Sequence, residues 1–280
     1  MQFSSTQLKT LTKQIAEKLL RTRKKDSNKG DHGHALLICG SQGLMGSAVI
    51  SARACLRTGC GLLTVNIPKD ERFIIQSIIP EAMVQFRENV IIDLSNYSAI
   101  GIGPGIGKSE ESQKLVSTIL HKYKNPILLD ADALNIVSDN KKLFKNIPYE
   151  TILTPHPKEF DRLFGNHNSH EERINTAVAK AIELNCIIIL KDFRTIITYA
   201  GKLYVNKIGN SGLAKGGSGD ALTGVITSFL AQGYPASDAA KLGVFLHAQA
   251  ADLTLKKQSI ESMLITDVIE NLGIAFKEIY

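Results

Sequence analysis

Residues 212–220 read Gly-Leu-Ala-Lys-Gly-Gly-Ser-Gly-Asp, and an apolar stretch of helical character follows at once. Glycines at a helix start let backbone N–H groups turn inward and form an anion site. Asp220 adds a carboxylate in the first turn, beside those donors. A bound phosphate repels a carboxylate, so Asp220 is poorly suited to plain phosphate binding. It is well suited to taking a proton from a hydroxyl that attacks a phosphate. The plainer alternative is a glycine-rich loop whose Asp caps the helix or favours its dipole.

Such a loop acts only if other elements bring a substrate to it. Short apolar runs at 34–39, 62–66, 98–102, 126–130, 151–154 and 186–190 read as strands. Apolar residues at helical spacing predict helices over 6–20, 46–58, 109–122, 170–184, 218–232, 236–256 and 266–278. A hairpin is expected over 195–199 and 202–206, around Ala200-Gly201. Strands alternating with helices predict an α/β fold with a mostly parallel sheet covered on both faces. Without a linker, repeat or low-complexity stretch, residues 1–280 are expected to form a single domain. Polar or glycine-rich clusters follow the strand ends at 40–47, 103–107, 130–135, 154–159 and 191–195. Open parallel sheets bind ligands along that edge, so the clusters predict one composite site.

Several functional classes fit poorly. At 44% hydrophobic and 21% charged the chain has an ordinary globular composition, with no apolar run long enough to span a bilayer. The N-terminus lacks signal-peptide character, so the cytoplasm is the expected location. The net charge is +6, with basic residues gathered at 21–25, but aromatics are only 6% and Trp is absent. Nucleic-acid binding is therefore not expected. A solvated basic loop and the attraction of a small anion remain the two alternatives. Cys39, Cys55, Cys60 and Cys186 form no CxxC pair and read as reduced core residues. His32 and His34 lack convincing metal-ligand spacing. His156 stands between Pro155 and Pro157, which either fix its ring at a strand edge or form a rigid turn with an incidental His. Gly40, Gly43 and Gly46 miss the dinucleotide GxGxxG spacing, and Ile102 stands where a P-loop ending at Gly107-Lys108-Ser109 needs its first Gly. No GxSxG elbow stands out.

Taken together, the clusters resemble the ribokinase-like superfamily, and within it the ADP/ATP-dependent NAD(P)H-hydrate dehydratases. The resemblance is carried by Lys29-Gly-Asp-His-Gly-His34, Gly40-Ser41, Gly46-Ser47, Gly59-Cys-Gly-Leu62 and Gly103-Pro-Gly-Ile-Gly107. It continues in Asp130-Ala-Asp-Ala-Leu-Asn135, Leu153-Thr-Pro-His-Pro-Lys-Glu159 and Gly209 through Asp220, so that the motifs run from residue 29 to about 250. It implies a ribokinase-like three-layer α/β/α sandwich with a mostly parallel central sheet. The implied enzyme is a carbon–oxygen lyase. It phosphorylates the C6 hydroxyl of the S-epimer of hydrated NADH or NADPH (NADHX, NADPHX) with ADP or ATP, then eliminates phosphate. Hydroxide leaves poorly and phosphate leaves well, which gives the phosphorylation its purpose.

By the same resemblance Asp220 is the base, and the N–H groups of Gly217, Ser218 and Gly219 hold the transferring phosphoryl. Lys191, Asp192, Phe193, Arg194 and Thr195 line the adenine nucleotide, which Gly219 also touches. Ser47, Gly105, His156 and Asp220 contact the hydrate. Glu159 acts on Mg²⁺ through water, and Asp130 and Asn135 support the site. A homotetramer is implied, as is a separate epimerase, since the chain is too short for the epimerase fusion of many relatives. Three positions depart from the family pattern. Ser47 brings a hydroxyl where Ala is common. Asp192 puts a carboxylate beside phosphates where Gly is common, which is unfavourable unless it points away or meets a cation. Lys215 either adds charge to the phosphoryl site or points to solvent. A small-molecule kinase and a non-catalytic nucleotide sensor are the rival functions.

Overall fold

The computed structural model describes residues 8–88 and 93–280. Runs of Ile, Leu and Val too short for helices become the strands. These are β1 (Leu8–Leu11), β2 (His34–Ile38), β3 (Leu62–Ile67), β4 (Met83–Phe86), β5 (Ala99–Ile102), β6 (Ile127–Leu129), β7 (Ile152–Leu153), β8 (Ile187–Leu190), β9 (Ile196–Tyr199) and β10 (Lys202–Asn206). They form one sheet in the order β1-β10-β9-β8-β7-β6-β5-β2-β3-β4. Among the described strands only β9 runs antiparallel to both its neighbours, β8 and β10. From β2 the chain moves outward one way to β3 and β4. From β5 it moves the other way to β6, β7 and β8. The crevice between the carboxyl ends of β2 and β5 is therefore the topological switch point, where such sheets bind ligands.

Helices cover both faces, as a buried parallel sheet requires. Leu37 and Ala35 of β2 join one core with α2 (Met45–Arg57), α8 (Ser218–Ala231) and α9 (Ala236–Thr254). Leu36 and Ile38, one residue out of phase, join the other core with α4 (Glu110–Lys122), α5 (Ala131–Asp139), α6 (Pro157–Phe164) and α7 (His170–Glu183). The three-layer α/β/α architecture expected from the sequence is thus present. Helix α8 is buried from Ala221 to Ala231. Its Ile226 and Phe229 each contribute on the order of 1.5–3 kcal/mol by burial. Gly224 lets α2 approach closely, since a Cβ there would lie 2.1 Å from the Ser51 carbonyl oxygen.

Two expectations are corrected. The stretch 6–20 is not one helix, though residues 6 and 7 lie outside the described residues. Leu8–Leu11 is a strand parallel to β10, and α1 (Lys13–Leu19) starts only after Thr12, whose hydroxyl caps Ile15 N–H. The three-residue spacing of Leu8 and Leu11 is helical, and in the strand it puts the two on opposite faces, with Leu8 exposed and Leu11 buried. Pairing with the open edge of β10 decides for the strand. The last helix breaks at Asn271 into α10 (Ile265–Glu270) and α11 (Leu272–Ile279), because the Asn271 amide donates to Thr254 Oγ1 and the Asp267 carbonyl. The elements not anticipated are α3 (Arg72–Ile78), β4, α5 and α6.

The basic segment at 21–25 has a structural task. Arg21 donates to the Gly233 carbonyl just beyond α8, and Arg23 to the Gly59 carbonyl just beyond α2. Cations there complement the negative ends of both helices. All four cysteines are free and buried. No helix among the described residues is long and apolar enough to cross a membrane.

Candidate active site at the carboxyl edge of the sheet

The clusters after β2 and β5 meet at the switch point. Gly40 N–H donates to the Pro104 carbonyl at 2.7 Å. Gly105 takes φ +64°, and a Cβ there would stand 3.1 Å from Ser47 Cβ and from the Leu44 carbonyl oxygen. Only Gly meets both demands without strain. Ser47 lies in the first turn of α2, so this packing sets its hydroxyl against the GPG turn. The turn itself is held by Asp132, which accepts from Gly107 N–H at 2.9 Å.

The glycine-rich loop enters α8 through Gly217, which is left-handed at φ +92° and offers no capping side chain. The first-turn N–H groups of a helix lack intrahelical acceptors, so this end stays open to an anion. Ser218 N–H makes a long bond, 3.3 Å, to the Lys215 carbonyl. Lys215 itself turns aside, its ammonium donating to the Glu261 and Met263 carbonyls at 2.6 and 2.8 Å. It braces the loop, in place of either role considered from sequence. Asp220 is half-buried, and Ser51 Oγ donates to its backbone carbonyl at 3.0 Å. Burial raises the Asp220 carboxyl above its ordinary range. Asp130 and Asp132 push the same way, and the Ser47 hydroxyl and Lys191 oppose. A carboxylate raised in this way is better matched to accepting a proton near neutral pH.

Beside it lies a buried ion pair. Lys191 Nζ sits 2.6 Å from Asp130 Oδ1, and Thr223 Oγ1 donates to Oδ2 at 3.0 Å. Burial alone would raise the Asp130 carboxyl. The Lys191 charge and hydrogen bond, with the Thr154 and Thr223 hydroxyls, outweigh it and hold the group below its usual range. A Cβ on Gly219 would stand 3.2 Å from Lys191 Nζ and 3.3 Å from Asp130 Oδ2. The glycine therefore lets the helix start press against the pair. Asn135 is drawn elsewhere, accepting from Arg162 at 2.9 Å.

His156 caps α6. Its Nδ1 accepts from Lys158 and Glu159 N–H at 3.1 and 3.3 Å, while Glu159 Oε2 accepts from His156 N–H at 2.9 Å. With Nδ1 accepting, the proton of the neutral ring falls on Nε2 by hydrogen-bond assignment. Burial and the nearby Lys191 charge keep the ring below its ordinary pKa, which favours that neutral form. Glu159 Oε1 lies 3.4 Å from Nε2, so this carboxylate is chiefly a capping group with one oxygen less committed. Among the described residues no three His, Cys, Asp or Glu side chains converge as a metal cage. The donors present fit Mg²⁺ only in the manner that ion prefers, with phosphates and water as its main ligands and one carboxylate in support.

The segment 191–195 joins the site through Lys191 N–H, which donates to the Pro155 carbonyl at 2.9 Å. Asp192 points its carboxylate back into its own loop, where Oδ1 accepts from Phe193 N–H at 2.7 Å. Phe193 is 80% exposed, with the Arg194 guanidinium over its ring. The Thr195 carbonyl accepts from Asn206 N–H. Sequence reasoning missed Thr154, Thr223, Asp132 and Arg87. Arg87 clamps the carbonyls of Cys39, Gly40 and Asn66 at the ends of β2 and β3. Thr223 and Arg87 lie outside any motif and carry no local signal. Thr154, inside the Leu-Thr-Pro-His-Pro-Lys-Glu string, and Asp132, inside the Asp-Ala-Asp-Ala-Leu-Asn string, did.

The sequence profile of the NAD(P)H-hydrate dehydratase family matches residues 35–273. An ADP-dependent (S)-NAD(P)H-hydrate dehydratase of Neisseria meningitidis is 33% identical over 90% of this chain and 87% of its own. A bifunctional NAD(P)H-hydrate repair enzyme of Moorella thermoacetica is 31% identical over 90% of this chain. The chain spans about half the length of such bifunctional relatives. Among solved structures, the Bacillus subtilis ADP/ATP-dependent NAD(P)H-hydrate dehydratase co-crystallized with ATP/Mg²⁺ is similar with a TM-score of 0.89. It is 30% identical, over 97% of this chain and 99% of that one.

Proposed function

The chain belongs to the NAD(P)H-hydrate dehydratase family, and on that premise we propose that it returns the S-epimer of NADHX or NADPHX to NAD(P)H at the expense of ADP or ATP. The observation that carries this is the juxtaposition at the start of α8. A carboxylate with a raised pKa, Asp220, shares the first turn with an open anion site, and Ser47 and Gly105 stand opposite. Asp220 takes the proton of the C6 hydroxyl, whose oxygen attacks the terminal phosphorus of the nucleotide. An O–P bond forms there as the bond from that phosphorus to the departing nucleotide breaks. The N–H groups of Gly217, Ser218 and Gly219 stabilise the charge on the transferring group. The ring nitrogen's lone pair then expels phosphate from C6, and loss of a C5 proton restores the ring double bond. Hydrate and ADP thus give NAD(P)H, AMP and phosphate.

In the same proposal Gly105, Ser47 and the Nε2–H of His156 orient the hydrate. Lys191, Asp192, Phe193, Arg194, Thr195 and Gly219 hold the nucleotide, with Lys191 kept in place by Asp130. Mg²⁺ would be held mainly by the nucleotide's phosphates, with Glu159 acting through water, and would neutralise phosphate charge. We further propose that residues 1–280 act as a single domain, in a homotetramer and in the cytoplasm, where four free buried thiols suit a reducing compartment. An epimerase activity would supply the S-epimer.

The test supplies hydrated NADH, Mg²⁺ and ADP, or ATP in parallel, and follows recovery of the dihydronicotinamide absorbance. Asp220→Asn is expected to lower the rate by about 10²–10⁴-fold, the usual worth of a general base, with nucleotide affinity near normal. A stable phosphorylated alcohol without NADH recovery would make the chain a kinase. Nucleotide binding without turnover would make it a sensor. Undiminished turnover by Asp220→Asn would remove the base role.

A further inference from the structure

The loop beside the proposed phosphate site carries a carboxylate that ought to weaken nucleotide binding, and the fold holds a device against it. Asp192 follows Lys191 directly. Its Oδ1 is occupied by Phe193 N–H at 2.7 Å. Its Oδ2 lies 3.0 Å from Nδ1 of His170, the first residue of α7. That Nδ1 is buried and makes no aligned hydrogen bond among the described residues, so Asp192 Oδ2 is the acceptor it faces. The His170 ring also rests on Phe193, with centroids 5.7 Å apart. Two cations near Asp192 have partners of their own, and Arg194 lies over the Phe193 ring. Arg173, one turn along α7, is bidentate to Asp161 at 2.9 and 2.6 Å, and Lys191 pairs with Asp130 at 2.6 Å. The positive end of α7 adds a smaller attraction.

We infer that His170 is a positioning residue that turns the Asp192 carboxylate away from the nucleotide's phosphates. The inference rests on the proposal that residues 191–195 line the nucleotide. Held by His170 and by its own loop, Asp192 costs little affinity. Released, it would swing among like charges. The penalty would then grow with the negative charge of the ligand and shrink with added salt.

Calorimetric titration with AMP, ADP and ATP in the presence of Mg²⁺, on the full chain, tests this without relying on turnover. His170→Ala is expected to weaken ADP by about three- to fivefold, the scale of a screened charge contact. The loss should be larger for ATP and smaller for AMP, and should fade in high salt. His170→Gln, which keeps a donor, should retain most of the affinity. Adding Asp192→Asn to His170→Ala should restore wild-type binding, with melting temperatures confirming that each variant folds. A loss equal for all three nucleotides, or one that persists beside Asp192→Asn, would make His170 a packing residue and overturn the inference. So would unchanged affinity in His170→Ala. If the wild-type chain bound none of the three, the nucleotide-loop proposal itself would fall and take the inference with it.

Discussion

Individual residues at this site owe their chemistry to burial and to their immediate partners. Asp220 and Asp130 have the same side chain and lie beside the same helix start, yet burial raises one while Lys191 and two hydroxyls lower the other. The first is thereby fitted to take a proton and the second to stay charged. His247 of α9 is a third case. Burial, with the Lys191 charge behind it, lowers its ring from 6.5 to about 4, and its Nε2 is buried without a hydrogen-bond partner among the described residues. The folded ring therefore stays neutral down to about pH 4, while the unfolded ring takes a proton below about pH 6.5. The unfolded state binds more protons in that window, so stability falls as pH drops through it. A shift of this size corresponds to about 3 kcal/mol once complete. Thermal melts from pH 7 to pH 4 should show His247→Leu losing less stability than the wild type. Parallel pH dependence in the two proteins would show that the ring does not stay neutral.

At the scale of elements, the contact between α2 and α8 sets the site, because one helix carries Ser47 and the other Asp220. Gly224 makes the contact possible, since its missing side chain leaves room for the Ser51 carbonyl. Gly224→Ala must push the helices apart. Overpacking of this kind costs about 1–3 kcal/mol, and here it should also lower kcat/KM by separating Ser47 from Asp220. Gly273 of α11 is the contrast, because a Cβ there would meet, among the described residues, nothing within 4 Å beyond its chain neighbours and its own helix backbone. Gly273→Ala should stabilise by about 0.5–1 kcal/mol through helix propensity alone. Melting temperatures of the two variants moving in the same direction would refute this account. Capping is the other contribution of the elements. Residues expected to face ligands or solvent, such as Glu159, Arg21 and Arg23, spend hydrogen bonds on helix ends. No spacing rule separates a capping Glu from a Glu that serves magnesium.

Across the whole molecule, one sheet brings chain segments from residue 40 to residue 220 to a single edge. A ligand bound there ties α2, α6 and α8 to the sheet and must stabilise all of them together. Saturation with ADP and Mg²⁺ at a hundred times Kd should add about 2.7 kcal/mol, seen as a higher melting temperature. Asp220→Asn should keep that shift, and a wild type whose melting temperature ignored ADP would argue against a nucleotide site. The strand–helix alternation, the two-faced sheet and the clusters at strand ends were legible in the sequence because each is a local pattern. An apolar run, a Gly that must adopt positive φ and a Pro-flanked turn all act over a few residues. Those patterns singled out the glycine loop with Asp220 and the Pro-flanked His156, whereas Ser47 and Gly105 became candidates only through the family resemblance. Tertiary structure decided how the charges pair. Lys191 meets Asp130, 61 residues away, and Asp192 faces His170. It also made Leu8–Leu11 a strand, because β10 offered it an open edge. The cause is the same throughout: a buried charge or an unpaired backbone group must find a partner in space, and distance along the chain does not say which partner will be there.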